Sequence, residues 1–182
     1  MHKLLQKLGE QKKSFYSIRD IEKMYGGKED NLSVLLHRFV KDGRLKRIMR
    51  GYYTLDIANM DSEEFACTVK KPSYISLEYA LYHHGLIQQV PESITLITTG
   101  KSGRISCEGK ELEYSHIRED LYFGYEIVGN ALFATKEKAL FDMAYLTGLS
   151  KRTFEFTAEM FEKTDRKLLS EYLEKFPARL EL

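Results

Sequence analysis

Leu4, Leu5 and Leu8 stand at helical spacing ahead of Gly9, and Phe15 follows after a polar break. Ser17 is placed to cap a short helix, Ile18 to Met24, with Asp20 in its first turn, where an acid complements the positive helix end. Tyr25-Gly26-Gly27 then supplies a turn. A longer helix is predicted from about Glu29 to Asp42, closed by Gly43. Leu32, Leu35, Leu36, Phe39 and Val40 recur at the spacing of one buried stripe. Asn31, Ser33, Val34, His37, Arg38 and Lys41 fall on the opposite face. Beyond Gly43 the pattern shortens. Leu45 to Met49 and Tyr52 to Leu55 predict two short strands, and the tight turn between them carries Arg47 and Arg50 at its tip.

The polar, acidic stretch after Leu55 predicts a linker at 59–71. Ser76 is placed to cap a helix from Leu77 to His84, which Gly85 ends. Pro91 opens the β-rich run Ile94 to Thr99. Arg104 to Cys107, Leu112 to Ile117 and Tyr122 to Val128 are further strand candidates, separated by Gly103, Gly109 and Asn130. Thr135 then caps a helix to about Leu146, with Ala139, Leu140, Met143 and Leu146 buried, and a last helix runs from Arg166 to Phe176. The fold class expected is α+β: residues 1–58 form one domain and 72–182 a second, mixed α+β domain.

Helix, glycine-containing turn, amphipathic helix and basic hairpin are the layout of a winged helix-turn-helix, with the second helix as the recognition helix. Charge points the same way. Residues 1–55 hold thirteen Lys and Arg against six Asp and Glu, a balance of +7, whereas the whole chain is only +1, leaving −6 for residues 56–182. Such a polarity suits a reader of a polyanion joined to a part with another task. Asn31, Ser33, His37 and Arg38 are the types that bond to base edges. Lys28, Lys41, Arg44 and Lys46 are placed for phosphates, and Arg47 and Arg50 for the backbone or minor groove. The partner expected is therefore double-stranded DNA, bound by several copies if its sites repeat. Cys67 and Cys107 are single and far apart, no apolar run is long enough to span a membrane, and the N-terminus lacks a signal-peptide core. A reducing cytoplasm without membrane partners follows as the expectation.

Other chemistry is thin. Gly100-Lys101-Ser102 imitates the end of a phosphate-binding loop, but Thr95 stands where the first glycine belongs and Gly103 opposes a following helix, so a hairpin turn is expected. Glu108-Gly109-Lys110 fits the E-x-K of metal-dependent nucleases, a third reading, yet no aspartate lies between Asp61 and Asp120 to complete the metal site. Glu137, Lys138 and Asp142 read as an exposed, salt-bridged helix surface. His83 and His84 are adjacent and lack partners at zinc-ligand spacing. Eight of the twelve tyrosines (Tyr74, Tyr79, Tyr82, Tyr114, Tyr122, Tyr125, Tyr145 and Tyr172) lie in the second domain and fit either a half-buried core or an interface. No catalysis, cofactor or metal is expected.

Asp30-Asn31-Leu32, Leu35-Leu36, the run Arg38 to Ile48 and Arg50-Gly51-Tyr52-Tyr53 resemble the winged-helix domain of AbiEi-type antitoxins, the regulator halves of type IV toxin–antitoxin and phage-abortive-infection systems. Tyr74 to Ile87 is similar to the first helix of that family's C-terminal domain, and Ala134 to Asp142 to a later helix, with Lys136 where the family usually has proline. The resemblance covers roughly residues 1–150. It implies an N-terminal domain repressing its own promoter and a C-terminal domain needed to neutralise a nucleotidyltransferase-like toxin. The alternative, favoured by the acidic balance and tyrosine content of the second domain, makes binding of that toxin the primary role, with DNA binding secondary.

Overall fold

The computed structural model describes residues 3–26, 29–107 and 109–176, with only the backbone of Glu29 and Asp30. The chain forms two compact units, Met1–Phe65 and Ala66–Leu182, and its class is mixed α+β.

In the first unit, α1 (Lys3–Glu10), α2 (Ile18–Tyr25) and α3 (Glu29–Lys41) bury their leucine faces together. Leu4, Leu5, Leu8, Ile21, Leu32, Leu36, Phe39 and Leu45 surround Tyr16, whose hydroxyl donates to the Leu8 carbonyl at 2.5 Å. Leu35 and Val40 are only partly covered. Ser17 caps α2 as its side chain predicts. The hydroxyl accepts from the Asp20 amide at 3.2 Å, and the Asp20 carboxylate accepts from the Ser17 amide at 3.0 Å. Partial burial raises the Asp20 carboxyl, but Ser17 and Lys13 outweigh it and hold the group below the usual range. Gly26, at φ 65°, then ends the helix in the left-handed region.

Three strands complete the unit: β1 (Tyr16–Ser17), β2 (Lys46–Met49) and β3 (Tyr52–Thr54), antiparallel in the order β1-β3-β2. β1 was not foreseen, because two residues are too few for alternation to register. The segment 59–71, expected as a linker, contains helix α4 (Ser62–Val69). Ser62-Glu63-Glu64 looks like linker chemistry, but acids also suit the first turn of a helix, and Phe65 and Ala66 behind them are fully buried. Phe65 meets Phe15 and Tyr52 edge-on, with ring centroids 5.1 and 5.4 Å away.

The second unit is built on a six-stranded mixed sheet. Its strands are β4 (Ser73–Ile75), β5 (Ser93–Thr98), β6 (Gly103–Cys107), β7 (Lys110–His116), β8 (Tyr125–Val128) and β9 (Ala131–Ala134), in the order β6-β7-β5-β4-β9-β8. The β5–β7 and β4–β9 pairs are parallel and the rest antiparallel. Helix α5 (Leu77–His83) packs on β5 and on α6 (Lys136–Gly148), and α6 packs on β9 and α8 (Arg166–Leu173). A short α7 (Ala158–Glu162) precedes α8.

Four details depart from expectation. The family-like segment Tyr74 to Ile87 opens as β4 and only then becomes helical. Ser76 occupies the N-cap position of α5 without capping it; its hydroxyl donates instead to Asp142 at 2.8 Å, and Thr95 of β5 accepts from the Tyr79 amide at 3.0 Å. Gly100-Lys101-Ser102 is not a hairpin turn. It connects β5 to β6, and β7 lies between those two strands. Helix α6 is buried on every side from Glu137 to Leu146, so the exposed salt-bridged surface predicted there is absent. Lys138 and Asp142 are both fully buried and meet at 2.7 Å, while Glu137 accepts from the Asp165 amide. Among the described residues no helix is long and apolar enough to cross a membrane.

Candidate nucleic-acid interface

Helix α3 has two unlike sides. Leu32, Leu36 and Phe39 hold it to the core, and Asn31, Ser33, Val34, His37, Arg38 and Lys41 are all exposed. One turn of an α-helix takes 3.6 residues, so Asn31, Val34, Arg38 and Lys41 line up along the outer face. Immediately after α3 the chain reverses at Gly43, φ 70°. The Arg44 amide donates to the Phe39 carbonyl at 2.9 Å, and the Arg44 guanidinium lies over the Phe39 ring at 4.8 Å while pairing with Asp42 at 2.9 Å. Arg44, expected at a phosphate, is thus exposed and paired with Asp42 at the surface.

The β2–β3 hairpin follows. β2 is an edge strand of its sheet, with Lys46 and Arg47 exposed and Ile48 buried. Arg50 sits in the turn as predicted, and Gly51, at φ 84°, closes it. Arg47 does not. It is paired across the ladder with Tyr53, and a bulge separates it from Met49, so it projects from the strand and not from the tip. The Gly51 carbonyl accepts from the Ile18 amide at 2.7 Å, which ties the turn to the start of α2. Among the described residues no ion pair engages Arg38, Lys41, Lys46, Arg47 or Arg50. Lys28, assigned to phosphate from the sequence, lies outside the described residues.

Asp56, Asp61, Glu63 and Glu64 belong to the first unit, so its balance is +3 and that of the second unit −2. What survives is local: cations gathered on one helix face and one hairpin.

The second unit offers other clusters that sequence reasoning missed. Arg152 reaches Glu78 at 2.5 Å and Glu113 at 2.6 Å on the floor of a cleft of about 530 Å³ lined also by Val90, Pro91 and Phe154. These three charges lie far apart along the chain, and no local spacing announces them. Asp142 accepts from Tyr74 at 2.9 Å, Ser76 at 2.8 Å and Lys138 at 2.7 Å, and the Lys138 ammonium also donates to the Leu121 carbonyl at 2.7 Å. Burial drives the Asp142 carboxyl up and the Lys138 ammonium down, each toward its neutral form, against their mutual attraction. Glu108 of the E-x-K string lies outside the described residues, and among the described residues no His, Cys, Asp and Glu side chains gather into a metal-binding group. No protein-family model matches the chain, and no curated protein matches it.

Proposed function

We propose that the first unit is a winged helix-turn-helix that binds double-stranded DNA, with α3 in the major groove and the β2–β3 hairpin as the wing. The observation that carries this reading is the exposed face of α3, bearing Asn31, Ser33, His37, Arg38 and Lys41, beside a hairpin whose Lys46, Arg47 and Arg50 are exposed and without ion pairs among the described residues. Cations so disposed neutralise phosphates, while asparagine and arginine match adenine and guanine edges in the major groove. The likeness to AbiEi-type antitoxins extends the proposal: a cytoplasmic repressor of its own promoter that, through the second unit, neutralises a nucleotidyltransferase-like toxin.

A second reading makes protein binding primary. It is favoured by β8, an edge strand with Ile127 75% exposed and Tyr125 beside it, which leaves apolar surface and backbone groups open to a partner.

Fluorescence anisotropy with the gene's own upstream DNA and a scrambled duplex, titrated across salt, separates the two. A repressor prefers its own sequence by a factor of ~10³ or more. Equal, strongly salt-dependent binding to both duplexes removes the repressor and leaves the second unit as the seat of function.

A further inference from the structure

Val34 is 70% exposed, more than any other described large apolar residue of the first unit, and it sits on the outer line of α3, opposite the buried Leu32, Leu36 and Phe39. Neither packing nor helix propensity accounts for valine there: it touches no core, and β-branching makes it a poorer helix former than alanine or lysine. Its neighbours on the same face are Asn31 three residues before it and His37 and Arg38 three and four after it, all exposed. An apolar side chain thus stands at the middle of a polar, basic surface.

We propose that Val34 reads the 5-methyl group of a thymine, an inference that rests on the DNA-binding role proposed for α3. The major-groove edge of every base pair carries polar atoms, and the thymine methyl is the apolar feature that a donor-less side chain can cover. Pressed on any other edge, Val34 desolvates a donor or acceptor and returns no hydrogen bond. The preferred site therefore contains a T·A pair between the positions read by Asn31 and Arg38. At 1.5 Å per residue those two side chains start about 10 Å apart along the helix, the rise of about three base pairs.

Full-length protein is first used to select duplexes from a randomised library. Each thymine of the selected duplex is then replaced by uracil, which deletes only the methyl group. One replacement weakens wild-type binding about fourfold, the equivalent of about 0.8 kcal/mol for one buried methyl-sized group. In Val34→Ala the same replacement changes binding by less than twofold. At that position 5-methylcytosine binds wild-type protein more tightly than cytosine by a similar factor. Circular dichroism and thermal melting of Val34→Ala match the wild type, because the side chain supports no packing. If selection yields no preferred sequence, the sequence-specific reading of α3 and this inference fall together. A preferred sequence indifferent to every uracil, or equally sensitive in Val34→Ala, overturns the role of Val34 alone and leaves the DNA-binding reading standing.

Discussion

Ser17 and Asp20 close a capping box three residues apart, and Thr135 accepts from the Lys138 amide at 3.3 Å. Lys138 and Asp142 sit four apart, a spacing that looks the same on a wet surface and in a core. What decides is the wall around them: the Lys138 ammonium lies 4.3 Å from the Phe123 ring centre and 4.4 Å from that of Phe141. Phe141 lies between them on α6, but Phe123 comes from the segment before β8, which the pair itself does not announce. A buried pair is costly to break on one side, because the remaining charge keeps its desolvation without its counterion. Asp142→Ala is therefore expected to lose about 3–5 kcal/mol in urea unfolding. The double variant Lys138→Met with Asp142→Leu removes both charges and is expected to lie at least ~2 kcal/mol above that single variant. A double variant no more stable than Asp142→Ala would mean that the hydrogen bonds from Tyr74 and Ser76, and not the charge, hold this part of the core.

Among the elements, the strength of the local pattern determined what the sequence disclosed. α3, with a full apolar stripe and a glycine stop, was predicted to within a residue of its C-terminal end, whereas β1, β4 and β9 are two to four residues long and were missed. β4 is buried at all three positions and shows no alternation, and its Ser73 and Tyr74 owe their place to Thr98 and Ile97 of β5 across the ladder. α4 was hidden by the acids at its start. Two neighbouring residues of α3 allow fold and function to be pulled apart. Phe39 is 1% exposed, and Phe39→Ala is expected to cost about 3–5 kcal/mol of stability, with loss of binding only through unfolding. Arg38 is exposed, so Arg38→Ala should change stability by no more than ~0.5 kcal/mol while costing ~1–3 kcal/mol of discrimination at one base pair. Unchanged selectivity in Arg38→Ala would take that side chain off the bases.

For the whole molecule, net charge and local arrangement make different demands on the proposed binding of DNA. Cutting the chain at Leu55 gave a polarity of +7 against −6, and the structural division at Phe65 reduces it to +3 against −2. The sequence could show how many cations there are but not that the acids of Asp56 to Glu64 fold with them. The two accounts differ in salt dependence, whose slope counts phosphates neutralised at about 0.9 per contact. Net charge of +1 allows a slope of about −1. Lys41, Arg44, Lys46, Arg47 and Arg50 together, if all five meet phosphates, allow one of about −4 to −5. The variant Arg47→Ala with Arg50→Ala sharpens the contrast. It makes the chain −1 overall, so a protein bound through its net charge would release DNA, whereas one bound through the face of α3 and its hairpin would keep binding with a slope smaller in magnitude by about one to two. An unchanged slope would remove the hairpin from the interface and leave α3 to hold the duplex alone.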